Sequence, residues 1–480
     1  MDQAICIRNA RWVVRWNEDA QRHEYLKNAD IAFIGDEILF VGTRYVGRVG
    51  EEIDGRRLMV MPGLVNIHCH PTNQPITRGV REELANRALY MTALYDGAGP
   101  WRADQEALYY GATVAYGELL KSGVTTVVDS AARPPADWIE LMVQSGLRVF
   151  AAPGYRDASW AVEDGSRVVW RWDEASGRRQ FEAAMDLVEA ALKHPCERLS
   201  AVIGPAQADT CRAETLREAV AVAARNGLTL QTHAAQTLVE FHEMTRRTGT
   251  TPIQWLHREG VLGPTTTLAH GIFVDSHSWT NWPTSDDISL LAETGTTIAH
   301  CPVVFARYGH RLESFGAYRR AGVNMGIGTD TAPHNMLEEM REAVLQSRAA
   351  AGDVADTGAA DVFDAATVGG ARALGRHDLG RLVEGARADL VLVDLTHPLM
   401  QPDRDPLRNL IYTAAERAVK DVYIAGRHVV GDGQVLTLDC AEATRRLGVA
   451  QKHAEDGVPA RDTGGRDGVE ISPLTLPVAD

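Results

Sequence analysis

Six residues in this chain are of types that bind metals or move protons, and each stands where an apolar run stops. The first run, Met61-Pro62-Gly63-Leu64-Val65-Asn66-Ile67-His68-Cys69-His70, ends in two histidines spaced i, i+2. Side chains on a strand alternate faces, so His68 and His70 point the same way and could grip one metal ion. Residues 228–232 run into His233, and Thr267-Leu268-Ala269 into His270. Thr297-Ile298-Ala299 runs into His300, and residues 325–329 run into Asp330. A lone His-x-His pair is a short pattern that chance supplies often. Five strands of one chain ending in His or Asp are not explained that way.

The elements that must position these residues alternate in kind. Apolar strands are expected at 60–68, 124–129, 148–154, 199–205, 228–232, 266–273, 296–301 and 324–329. Helical stripes are expected between them, at 105–121, 181–193, 213–225, 288–293 and 337–350. Eight strands alternating with helices predict a (β/α)8 TIM-type barrel, whose functional residues sit at the carboxyl ends of the strands. A doubly wound open sheet is the alternative, but it wants a glycine-rich loop after its first strand and none is present.

Residues 1–60 read as short strands, and β grammar returns in Ala388-Asp389-Leu390-Val391-Leu392-Val393-Asp394 and Val422-Tyr423-Ile424-Ala425-Gly426. The expected organisation is one small β-sandwich built from residues 1–60 and 380–440, with the barrel (61–379) inserted between its halves. Residues 441–480 are expected to begin as a helix and end in a poorly ordered Gly/Asp/Pro-rich tail. The stretch 71–101 is too long for a plain connection and is expected to cover substrate. Trp160, Trp170 and Trp172 fall in another long connection, where they either line a pocket or pack the loop onto the barrel.

Composition narrows the function class. With 480 residues, 45% of them apolar, the chain can bury one large core. Its net charge of -15 repels phosphate backbones, which argues against nucleic-acid binding. Six cysteines without a CxxC pair fit a reducing compartment. The N-terminal residues lack a signal-peptide pattern, and no apolar run approaches the roughly 20 residues of a membrane helix. A soluble cytoplasmic protein is expected, with no membrane association.

On these motifs the chain resembles the amidohydrolase superfamily. Pro62-Gly63-Leu64-Val65-Asn66-Ile67-His68-Cys69-His70 is similar to the family's first-strand motif. Leu268-Ala269-His270-Gly271 and Gly328-Thr329-Asp330 are similar to its sixth- and eighth-strand motifs, and Gly385-Ala386-Arg387-Ala388-Asp389-Leu390-Val391 to its returning sandwich segment. The branch it most resembles is that of triazine hydrolases and adenosine- and guanine-type deaminases. The resemblance implies that His68, His70, His233 and Asp330 bind one divalent ion, Zn²⁺ first and Fe²⁺ second. It implies that Asp330 also takes a proton from the attacking water, that His270 orients that water or polarises substrate, and that His300 contacts substrate. Two-metal members bridge their ions with a lysine, commonly on the fourth strand. Here residues 199–205 hold none, and the chain has only five lysines, so a single ion is expected. Relatives are commonly homo-oligomers, which sets that expectation here.

Two departures bear on substrate. Three residues after the fifth-strand histidine, the deaminase-like branch has a glutamate; this chain has Gln236. A carboxamide can hold a substrate but cannot deliver a proton at pH 7. Glu240 and His242 are nearby candidates for that task, or else surface positions on the following helix. In the eighth-strand loop, Thr331-Ala332-Pro333-His334-Asn335 departs from the usual stretch, and His334 either faces substrate or caps the next helix. The leading expectation is a metal-dependent hydrolase cleaving a non-peptide C–N bond in an amide, urea, carbamate or substituted N-heterocycle. An aromatic deaminase or chlorohydrolase is the second reading, and a non-catalytic barrel scaffold the third.

Overall fold

The computed structural model describes residues 3–72, 75–95, 99–462 and 464–479. Eight parallel strands follow one another around a barrel: Leu64–Cys69, Val124–Ala131, Arg148–Tyr155, Leu199–Pro205, Thr229–Ala234, Thr266–His270, Thr297–His300 and Asn324–Ile327. All eight expected strands are present. Their fully buried runs are what a parallel sheet covered by helices requires. Val65, Ile67, Val128, Phe150, Val202 and Ala299, from five different strands, meet in one apolar cluster that fills the lumen. The last strand closes on the first through Asp330 N–H to His68 O (3.0 Å) and His70 N–H to Asp330 O (2.7 Å). Gly328 permits that approach, since a Cβ there would lie 2.7 Å from the His68 carbonyl.

The two chain ends share one nine-stranded mixed sheet. Strand Leu58–Pro62 lies between Ala4–Asn17 and Leu390–Asp394, with Val13 opposite Val60 and Met61 opposite Val391. Ile7, Val13, Phe33, Val60, Leu390 and Leu392 form its core. Here one expectation is corrected. The apolar run 60–68 is two strands, not one: residues up to Pro62 belong to the sandwich, and the barrel begins at Leu64. The break falls at Gly63, where a Cβ would collide with Thr125 Oγ1 at 2.1 Å.

For the tryptophan connection the structure selects one of the two readings, packing onto the barrel, and for the tail it changes the expectation. The connection holding Trp160, Trp170 and Trp172 is an antiparallel hairpin, Ala158–Glu163 with Arg167–Trp172, and Trp160 pairs directly with Trp170. Both indoles donate to Asp209 Oδ2, at 2.9 and 2.7 Å, and so fasten the hairpin to the barrel. The tail is anchored as far as Ser472, while residues 473–479 are exposed. Helix Cys440–Asp456 packs on helix Gln105–Lys121, and Val458 is fully buried. Gln451 Nε2 donates to the carbonyls of Ile76 (2.7 Å) and Arg78 (2.8 Å), and Ser472 Oγ to that of Val80 (2.9 Å). The C-terminal segment thus grips the stretch 71–101, of which residues 73–74 and 96–98 lie outside the described residues. Among the described residues, no helix is long and apolar enough to cross a membrane.

Candidate metal centre and its cavity

His68, His70, His233, His270 and Asp330 converge at the carboxyl end of the barrel. Ligand atoms of His68, His70 and Asp330 lie within 4.8 Å of one another, as do those of His68, His233 and His270. His70 Nε2 is 3.3 Å from His233 Nε2 and 3.5 Å from Asp330 Oδ1. His68 Nε2 is 3.8 Å from the same carboxylate oxygen.

The outer nitrogens of three rings are each spoken for. His68 Nδ1–H donates to Gln231 Oε1 (2.8 Å), His70 Nδ1–H to Ser130 O (2.7 Å), and His233 Nδ1–H to Ala206 O (2.5 Å). With Nδ1 protonated, each neutral ring turns the Nε2 lone pair inward. This is the arrangement by which outer partners aim metal-binding histidines. His68 Nε2 is buried without any hydrogen-bond partner, a costly state that a cation would relieve. Burial holds His68 well below its ordinary pKa and His233 down to about 3, so both rings are neutral donors, as ligation needs. Burial pushes Asp330 the other way, upward, against the lowering influence of His70, Arg81 and Arg307. These donors fit one divalent ion, and no lysine lines the cavity among the described residues.

Local backbone strain marks two of the positions. His270 has φ +84° and Asp330 φ +51°, a region that costs a side-chain-bearing residue about 1–3 kcal/mol and is common at functional sites. His270 Nε2 is 3.9 Å from Asp330 Oδ2, and neither of its ring nitrogens has a partner. It packs edge-on against Phe305, ring centroids 4.6 Å apart.

Beside these groups is a cavity of about 210 Å³, open toward solvent. His70, His233 and Asp330 line one end, and Gln236 lies on its wall. Arg81 from the stretch 71–101, Ser130, Arg156, Gln180, Gln207, Gln231 and Tyr308 are among the rest of its polar lining. Glu240 is neither at the surface nor on that wall. Its buried carboxylate accepts the backbone N–H groups of Ala235 (2.8 Å) and Gln236 (2.7 Å), so it shapes the turn after the fifth strand. Burial raises it to about 8. His242 is exposed.

His300 and His334, expected to contact substrate, do not line this cavity. His300 is buried against Phe315 and is not on the cavity wall. His334 is fully buried behind the first strand, its Nδ1 3.5 Å from both Cys69 Sγ and Thr329 Oγ1. The loop after the eighth strand turns outward past that strand, which carries His334 away from the cavity. The capping alternative falls to its neighbour, since Asn335 caps helix Met336–Ala351. Sequence reasoning missed Gln231, Arg81 and Arg156. Gln231 stands two residues before His233, on the same strand face, and that phase was its signal.

The sequence pattern described as the amidohydrolase family matches residues 59–429. A 5-methylthioadenosine/S-adenosylhomocysteine deaminase of Pelotomaculum thermopropionicum is 31% identical over 441 residues, covering 88% of this chain and 93% of that protein. The crystal structure of an adenosine deaminase from Xanthomonas campestris with bound zinc superposes with a TM-score of 0.79 at 25% identity, over 94% of this chain and 98% of the other. An atrazine chlorohydrolase of Arthrobacter aurescens complexed with zinc shares the fold, with a TM-score of 0.80 at 24% identity over 93% and 100% of the two chains. A barrel with histidines and an aspartate at its strand ends, and this breadth of match, lead to one assignment: the chain belongs to the amidohydrolase family.

Proposed function

We propose that this protein is a one-metal hydrolase that cleaves a non-peptide C–N bond on a substituted N-heterocycle, with His68, His70, His233 and Asp330 holding the ion. The observation that carries this reading is the trio of Nδ1–H groups donating outward, which leaves three Nε2 lone pairs turned inward, those of His68 and His70 toward Asp330 Oδ1 (3.8 and 3.5 Å) and that of His233 toward His70 Nε2 (3.3 Å). An ion bound there would supply Lewis-acid activation of a water molecule. Zn²⁺ suits three imidazoles and a carboxylate, and the zinc-containing neighbours favour it over Fe²⁺. Asp330 accepts the proton of the attacking water. His270, buried and neutral, orients that water or polarises the substrate. Gln236 holds substrate through its carboxamide.

The deaminases among the relatives favour an aminated heterocycle. The cavity, about 210 Å³, is below the roughly 300–1,000 Å³ of a drug-sized ligand site, which favours one ring over a large nucleoside. A second reading has support from Gln236. Because that side chain cannot protonate a departing amine, loss of a group that leaves as an anion, such as chloride, is also consistent with the site. The oriented ligand set opposes the scaffold reading. All six cysteines are free, which supports a reducing, cytoplasmic setting, and a homo-oligomer is proposed by analogy with relatives.

The test is metal content and turnover in His68→Ala and Asp330→Ala, measured against aminated and chlorinated heterocycles, amides and ureas. Both variants are expected to lose the ion and the activity. Full metal and full rate in both would overturn the proposal. Ammonia release separates the first reading from chloride release in the second.

A further inference from the structure

Arg156 has no role in the chemistry above, yet it stands on the wall of the same cavity. It follows the third barrel strand, Arg148–Tyr155. Its guanidinium lies over the Trp160 ring, 5.9 Å from the centroid, and Trp160 is itself pinned by its indole N–H to Asp209. Among the described residues, that guanidinium makes no hydrogen bond and no ion pair. None of its nitrogens is sealed from solvent, so a ligand can reach them. Asp209 attracts it without forming an ion pair with it: Oδ2 of that side chain accepts two indole N–H groups, and its buried Oδ1 makes no hydrogen bond among the described residues.

A half-buried, unpaired guanidinium has lost part of its hydration without regaining it from the protein. Its planar fork of donors matches a carboxylate in two parallel hydrogen bonds, and an aromatic face behind it fixes the plane. Asp330 is the one carboxylate on the cavity wall among the described residues, and it belongs to the candidate metal centre. The rest of the polar wall carries no other acid among the described residues: it holds the carboxamides Gln180, Gln207, Gln231 and Gln236, hydroxyls, two of the histidines, and a second guanidinium, that of Arg81.

We infer that the substrate carries a carboxylate arm, bound by Arg156, on the heterocycle that the metal centre attacks. This rests on the reading of the cavity as the substrate pocket. The site therefore selects acids over their neutral amides.

The test uses pyridine-3-carboxylate and pyridine-3-carboxamide as probes, titrated calorimetrically into zinc-replete and metal-stripped protein. The wild type is expected to bind the acid about 10- to 100-fold more tightly than the amide, the value of a charge-assisted hydrogen-bond pair. Arg156→Gln is expected to erase that preference, and Arg156→Lys to keep part of it, with zinc content and melting midpoint unchanged in both. A preference that survives Arg156→Gln but vanishes on metal removal places the carboxylate on the ion and overturns the inference. A wild type with no preference, or with no binding of either probe, overturns it as well. A protein that takes up no zinc yet keeps the Arg156-dependent preference supports this inference while sinking the hydrolase reading, so the two failures are distinct.

Discussion

Gln231→Leu tests the metal centre without touching a proposed ligand. In the structure Gln231 Oε1 accepts from His68 Nδ1–H at 2.8 Å and from Ser130 Oγ–H at 3.3 Å, while its Nε2 donates to Ile67 O at 2.6 Å. Leucine fills similar space but strands the His68 Nδ1–H and the Ile67 carbonyl, both buried. Each unsatisfied group costs about 1–3 kcal/mol. Freed from its acceptor, the His68 ring can rotate or take the other tautomer, which points N–H at the ion. Loss of such an outer partner typically weakens metal binding by about 10–100-fold, equivalent to about 1.4–2.7 kcal/mol. The assay is competition for Zn²⁺ between the metal-stripped protein and a chelator of known affinity, with thermal melts of both metal states. The melts separate a general loss of stability from a specific loss of affinity. A zinc affinity within twofold of wild type, in a folded variant, refutes the argument that this hydrogen bond aims His68 at an ion.

Three other outcomes are expected. His270→Ala should keep its zinc while kcat falls by about 10²–10⁴; loss of the ion, measured by elemental analysis, makes His270 a ligand instead. Asp209→Ala should lower the melting midpoint through a loss of about 1–3 kcal/mol and raise KM, because both hairpin indoles lose their acceptor and Trp160 backs Arg156; an unchanged midpoint and KM would show the hairpin is held otherwise. In the metal-free protein, burial depresses His300 and His334 to about 3, against an unfolded value near 6.5. The unfolded chain therefore binds protons first, and stability falls as pH drops through 6.5 toward 3. At pH 5.5 each ring should cost about 1.4 kcal/mol, and a denaturant midpoint that does not move between pH 7.5 and 5.5 would contradict it.

The barrel was legible because buried parallel strands are continuous apolar runs with a polar residue at one end. The boundary at Gly63 was not, because residues 60–68 read as one such run, and it is divided only by a change of partners, Leu58–Pro62 pairing in the sandwich and Leu64–Cys69 in the barrel. The hairpin at 158–172 was missed for a different reason. Its Val and Trp residues have strong β propensity, and packing of the rings onto the barrel was one of the two readings, but the pairing of Ala158–Glu163 with Arg167–Trp172 was not read from that propensity. The histidines at strand ends were readable by phase, which is local. His334 was not, since its neighbours Cys69 and Thr329 lie at the end of the first barrel strand and just past the eighth, at opposite ends of the barrel sequence. Glu240 shows the same limit: helix spacing gives its face, but its grip on the Ala235 and Gln236 amides depends on how the preceding turn folds back.

The hydrogen bonds from Gln451 and Ser472 to the backbone of residues 76–80 have a practical corollary. Arg81, one residue beyond that grip, sits on the cavity wall. The last forty residues and the mouth of the cavity are therefore a single mechanical cassette. Grafting the entrance loop from a relative without its matching C-terminal helix would leave the loop unsupported, whereas transplanting both together carries the entrance intact.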